Sequence, residues 1–201
     1  MKPFLALPVA LAMATMSHAE PVSGRYGPAL LVVDGDRLSG VISDVARGNG
    51  SDDAPQFMCK ALMSGLLAKD SAQMKAWLPD DTSRISGTLT MEGDQIRVRF
   101  EENPPGCAMV SNMTGDGQQW WLEKAHPEWT AVGLITSNRT VLHDEPHEDA
   151  RRSKPYLVKW DTVAVLDQQD GWARVEYVES VPPARGWIKA ADLALAAPSG
   201  G

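Results

Sequence analysis

Period-two alternation of apolar residues, closely spaced turn residues and a single pair of cysteines predict an all-β protein of two successive small units. The alternation is plainest in RISGTLTMEGDQIRVRF, residues 84–100. There Ile85, Leu89 and Met91 are set opposite Ile96, Val98 and Phe100 across Glu92-Gly93-Asp94. Six to eight such short strands over residues 20–127 predict a small antiparallel barrel or sandwich with one disulfide. A second β unit is expected over residues 128–195, and a flexible tail over 196–201.

The chain opens with an export signal. Residues 1–19, MKPFLALPVALAMATMSHA, hold one Lys, an apolar run from Phe4 to Met16, and small residues at Ser17 and Ala19. That pattern is a secretory signal peptide with cleavage expected after Ala19. The run is shorter than the about 20 residues a bilayer span needs, so no membrane insertion is expected. The mature form is expected to be periplasmic or secreted.

Charge narrows the partners. The net charge is −7, and loss of Lys2, the only charged residue of the signal, makes the mature chain −8. Nucleic-acid binding works through Lys and Arg that release counterions from phosphates, so nucleic acid is disfavoured, as is an anionic membrane surface. An acidic protein is steered towards cationic partners; the same charge also serves solubility alone.

Cys59 and Cys107 are the only cysteines. In an oxidising compartment such a pair is expected as a disulfide, closing a loop worth about 4 kcal/mol in the chain-entropy account. A catalytic thiol needs a histidine as base, and none occurs in the first unit before His126. Two cysteines without clustered histidines make no zinc site.

The first unit begins with a hairpin, Leu30 to Val33 and Leu38 to Val45 about Asp34-Gly35-Asp36, followed by the polar loop carrying Asp52-Asp53. FMCKALMSGLLAKDSAQMKAWL fits either a helix or strands by spacing. Two strands are favoured, with a bend at Gly65 and the second passing through Met74, Ala76 and Leu78. After the 84–100 hairpin, Asn103-Pro104-Pro105-Gly106 breaks the ladder. CAMV and QQWWLEKA are expected as the last strands. His126-Pro127 is the expected seam, with the two units packed together and Trp120, Trp121 and Trp129 clustered there as core or, alternatively, as a stacking platform.

In the second unit, Val163 and Val165 alternate with Thr162, Ala164 and Leu166. Trp172, Arg174 and Glu176 alternate with Ala173, Val175 and Tyr177, and Asp170-Gly171 supplies the hairpin turn between the two runs. Asp161-Thr162-Val163-Ala164-Val165, Gly171-Trp172-Ala173-Arg174-Val175, Gly186-Trp187-Ile188 and Leu193 follow one another in the order of a bacterial SH3 domain, which this third of the chain resembles. Trp160 stands where that family usually has Gly. The resemblance implies a C-terminal SH3-like five-stranded barrel. It also implies a peptide groove, with Tyr156, Trp160, Trp172 and Tyr177 as candidate ligand-binding residues; Trp172 and Trp187 are equally eligible as core.

By the same resemblance His143-Asp144-Glu145-Pro146-His147-Glu148-Asp149 is a long loop bordering the groove. Its two imidazoles and four carboxylates make His143, Asp144, Glu145 and His147 candidate ligand contacts. Metal binding, acid sensing and grip on a cationic partner are open to it. So is a plain solvated loop whose acids pair with Arg151, Arg152 and Lys154. Pro146 argues against one rigid ligand face, and no metal or cofactor site is assigned.

No GxSxG, HExxH, P-loop or GxGxxG pattern occurs. The carboxylate pairs at 52–53, 80–81 and 101–102 sit beside turn residues. The expectation is an exported, non-catalytic protein whose SH3-like unit recognises peptidoglycan peptides or an extended protein segment. The alternative is an inhibitor or immunity protein that offers an acidic loop to a basic cell-wall hydrolase or toxin.

Overall fold

The computed structural model describes residues 22–48 and 56–197. The expected signal peptide, residues 1–19, together with Asp52-Asp53 and residues 198–201, lies outside the described residues. Eight antiparallel strands form a closed barrel: β1 (Gly24–Tyr26), β2 (Ala29–Asp34), β3 (Arg37–Arg47), β4 (Gln56–Ala68), β5 (Ser71–Trp77), β6 (Ile85–Glu92), β7 (Gln95–Phe100) and β8 (Gln118–Ala125). Each strand pairs with the next, and β8 returns to β1 with Ala125 opposite Gly24, which removes the open edges a flat sheet would leave. An eight-stranded barrel is just wide enough for side chains to fill. Leu31, Leu38, Ile42, Met63, Met74 and Phe100, none more than 1% exposed, fill this one.

The ambiguous segment is β4 and β5, two strands as expected. The reversal falls at Lys69-Asp70, between the paired Ala68 and Ser71, and Lys69 adopts a left-handed φ of 59°. Gly65 is not a bend. A Cβ there would lie 2.3 Å from the Gln73 carbonyl, so the glycine admits close approach of β5. CAMV is not a strand but a 3₁₀ turn, Cys107–Met109, entered through Gly106 at φ 80°. A Cβ on Gly106 would lie 2.4 Å from the Met58 carbonyl; only glycine lets the chain press against β4 here. That contact brings Cys107 to Cys59, Cα to Cα 4.3 Å, and the two form the expected disulfide.

The rest of the chain is a second antiparallel sheet of β9 (Ala131–Ile135), β10 (Thr140–His143), β11 (Arg151–Leu157), β12 (Thr162–Gln169), β13 (Trp172–Tyr177), β14 (Ala184–Lys189) and β15 (Leu193–Leu195), in the order β11-β10-β14-β13-β12-β9-β15. Seven strands replace the expected five because the chain flanking residues 144–150 pairs as a hairpin, β10 with β11. Asp170-Gly171 makes the two-residue turn as expected, both at positive φ, with Gln169 opposite Trp172.

Barrel and sheet share a core. Leu30, Val32, Val41, Leu62 and Trp77 on the outside of the barrel pack with Trp129, Val132, Leu134 and Ala164. The strands at this contact are therefore buried on both faces. On β12, Ala164 turns to the barrel while Val163 and Val165 enter the sheet's own core. This explains why ALLVV, AVGLI and TVAVL read as nearly unbroken apolar runs.

The three tryptophans do not cluster. Adjacent on β8, Trp120 points into the barrel at 8% exposure and Trp121 outwards at 52%. Trp129 joins the shared core and stacks on His126 at 4.0 Å in the link between the two sheets. Nor does a flexible tail begin at residue 196. Ala196 is 1% exposed and its N–H donates to the Val132 carbonyl at 2.9 Å.

Candidate functional site

The β10–β11 hairpin carries the charged loop, and its acids are largely spent on internal partners. Asp144 accepts from Arg152 Nε at 2.6 Å, Glu145 Oε2 lies 3.1 Å from His147 Nε2, and Glu148 pairs with Lys189 at 2.5 Å. The Lys189 hydrogen bond holds the Glu148 carboxyl below the usual glutamate range and, reciprocally, raises the Lys189 ammonium. The two imidazoles have different partners. His143 Nδ1 donates to the His147 carbonyl at 2.9 Å, and its ring meets Trp172 edge-on at 4.8 Å. Among the described residues no three His, Cys, Asp or Glu side chains are grouped to hold a metal ion.

Beside this hairpin lies a cleft of about 270 Å³, lined by Arg139, Thr140, Val141, His143, Glu148, Arg151, Lys189 and Asp192. The pairing of β10 with both β11 and β14 draws these residues together from three stretches of chain. His143 is 4% exposed and forms part of the wall. The Arg139 guanidinium carbon lies over the Tyr156 ring, 4.0 Å from its centroid, a cation–π contact that holds it in place. Arg139 and Arg151 make no ion pair among the described residues.

The predicted aromatic groove is not assembled as one surface. Tyr156 is 45% exposed on β11, beside the cleft-lining Arg139. Trp172 is half-buried against His143. Tyr177 lies five positions along the unbroken ladder of β13, which places it on the opposite face of that strand. Trp160 packs against the core shared with the barrel, at a φ of 76°. The backbone there has the form that favours glycine, and the indole has a packing role between the two sheets.

Tyr177 belongs to a second polar cluster, at the seam. Lys60 on β4, 6% exposed, donates to Ser43 Oγ at 2.5 Å, Thr162 Oγ1 at 3.0 Å and Glu179 Oε1 at 2.9 Å. All three ammonium protons are thereby satisfied. Tyr177 Oη reaches Glu179 at 3.4 Å and Asp161 at 3.5 Å. Burial, followed by the charges of Asp161 and Glu179, pushes the phenol up to about 12. Burial also raises the Asp161 carboxyl. For Glu179 burial acts upwards, but the Lys60 charge and hydrogen bonds from Lys60, Ser43 and Thr162 outweigh it and hold the carboxyl low. A smaller cleft of about 220 Å³ lies beside this cluster, lined by Arg25, Leu30, Val45, Val178 and Glu179 among others. Its polar groups are already saturated by one another, which is the pattern of a structural join.

Three residues of the cleft were not candidates in the sequence: Arg139, Arg151 and Lys189. Arg139 and Lys189 are lone basic residues in their own segments, and Arg151 stands in the run Arg151-Arg152-Ser153-Lys154, read as partner to the loop's acids; no spacing ties the three together. The chain matches no family model, no curated protein and no solved structure.

Proposed function

We propose that the protein is an exported, non-catalytic binding protein whose C-terminal, SH3-like half recognises short peptide segments of peptidoglycan. The observation that carries this is the cleft beside β10: an open, partly basic hollow with Tyr156 close by, held on a sheet that is braced against a disulfide-bonded barrel. Extended peptides suit such a surface, because flat rings cover apolar area at small entropic cost. The segments that resemble a bacterial SH3 domain fall on successive strands of this one sheet, 162–165 on β12, 172–175 on β13, 186–188 on β14 and Leu193 on β15, with Asp161 and Gly171 just before β12 and β13, which supports that resemblance. A disulfide is in keeping with an oxidising compartment.

Non-catalytic action is supported by how the carboxylates are used: Asp80 pairs with Lys159 at 2.6 Å, and Asp81 accepts from the Ser83 N–H at 2.8 Å. Inhibition of a basic hydrolase by the 143–149 loop would have to compete with partners the loop already has, since Asp144, Glu145 and Glu148, though exposed, are paired with Arg152, His147 and Lys189.

Co-sedimentation of the mature protein with purified sacculi tests the proposal. Saturable pelleting is expected, reduced by fragments of digested wall. Protein left in the supernatant, together with stoichiometric capture of a basic hydrolase, would overturn it in favour of inhibition.

A further inference from the structure

We infer that the cleft between Arg139 and Arg151 is a carboxylate-binding site, which anchors its peptide by an acidic group. This deepens the reading of the C-terminal half as a peptide binder and rests on it.

Three cations line the hollow, Arg139, Arg151 and Lys189, against two acids, Glu148 and Asp192. Glu148 is occupied by Lys189 at 2.5 Å. The Arg151 charge also acts on Glu148 without an ion pair, so Arg139, with Arg151 beside it and Asp192 as the remaining acid, sets the character of the remaining space. In a chain of net charge −7 this is a local reversal of sign. A concave site with such a reversal focuses the field on an incoming anion.

The geometry favours a carboxylate over a diffuse anionic surface. The Tyr156 ring, 4.0 Å from the Arg139 guanidinium carbon, anchors that group, whose N–H groups make no hydrogen bond or ion pair among the described residues. A pre-oriented planar fork matches the two oxygens of a carboxylate, and less side-chain entropy is lost on binding. Arg151 lines the same hollow and makes no ion pair among the described residues. His143 sits in the wall with Nδ1–H committed to the His147 carbonyl at 2.9 Å, so the imidazole is held in one orientation. A hollow of about 270 Å³ is smaller than the usual drug-sized pocket of 300–1,000 Å³, so it takes one acidic residue and its neighbour, not a long chain. Stem peptides of peptidoglycan are short and carry several free carboxylates, which makes them the ligand class that fits both the hollow and its charge.

Calorimetric titration of the mature, disulfide-bonded chain with the tripeptide L-Ala-γ-D-Glu-diaminopimelate, and with the same tripeptide fully amidated, tests the inference. The acid form is expected to bind and the amidated form to bind at least about tenfold more weakly, the scale of a lost charge-assisted hydrogen bond. Arg139→Ala and Arg151→Ala are each expected to weaken the acid form about tenfold or more. Thermal unfolding should be unchanged, since both side chains are exposed. Equal affinity for the two forms, or no effect of either substitution, overturns the carboxylate anchor while sacculus binding leaves the peptide reading standing. No binding of the tripeptide with no pelleting on sacculi overturns both. Preference for a linear Glu-Gly-Glu peptide over the tripeptide overturns the cell-wall source and moves the ligand to protein segments.

Discussion

Lys60 of the barrel and Glu179 in the loop after β13 meet at 2.9 Å across the seam between the two sheets. One partner is buried and the other about a third exposed, so the pair is neither a surface decoration nor a fully desolvated one. Glu179→Gln is expected to cost about 1–2 kcal/mol at neutral pH, because the buried ammonium loses its counter-charge. The pH dependence follows from the low Glu179 carboxyl. Its contribution is complete above the ordinary glutamate value of about 4.3 and is lost as pH falls through the lower folded value. Asp161 is raised and acts oppositely, favouring the fold in acid and losing that effect as pH rises past its shifted value; the Glu179 charge contributes to that rise, so the variant relaxes it in part. Urea unfolding at a series of pH values should therefore show the gap between wild type and variant widest near neutrality and closing below about pH 4. A gap independent of pH would dismiss the ion pair as its origin.

Trp160 joins the shared core while its backbone sits at φ 76°. Two effects then oppose each other. Loss of the ring from a half-buried site is expected to cost about 2 kcal/mol in Trp160→Ala. Trp160→Gly should be the milder change by about 1 kcal/mol, since only glycine takes this backbone without strain. Denaturant midpoints of the two variants measure the difference, and the reverse order would show that the left-handed backbone is not retained.

Gly106 and the disulfide form one device. Gly106→Ala faces both a φ of 80° and a Cβ only 2.4 Å from the Met58 carbonyl, so the 3₁₀ turn should be displaced and Cys107 with it. Thiol titration of protein recovered from an oxidising compartment should find free sulfhydryls in this variant and none in wild type. The double replacement Cys59→Ala with Cys107→Ala is expected to lower stability by about 3–4 kcal/mol through the unfolded chain.

The neighbouring tryptophans of β8 give a plain test of barrel orientation. Trp120→Ala should cost about 3 kcal/mol or more, as the loss of a ring from a filled interior. Trp121→Ala, from the outer surface, should lie within about 0.5 kcal/mol of wild type. Thermal or urea unfolding decides it, and similar losses for both would place the two rings in one core.

Local chemistry was legible in the sequence wherever a single strand or turn carries its own signal. The hairpins about Gly35-Asp36, Gly93-Asp94 and Asp170-Gly171 were readable because alternation and a left-handed turn residue occur within a few positions of each other. CAMV misled because four apolar residues suit a strand equally well, and only the approach of Gly106 to Met58 marks it as a turn. The candidate site was half legible: His143 and Tyr156 stood out by type, but Arg139, Arg151 and Lys189 did not.

The sequence by itself determined that the chain is all-β, where three of its hairpins turn, and which two cysteines were free to join, because backbone sterics and period-two patterning act over a handful of residues. The tertiary structure alone decided that β1 closes on β8, that β2 and β12 are buried on both faces, and that Arg139, Arg151 and Lys189 share a hollow. Alternation tells how many faces a strand has and nothing about what will cover each. Charges fifty positions apart become neighbours only when the order of strands in a sheet has been set.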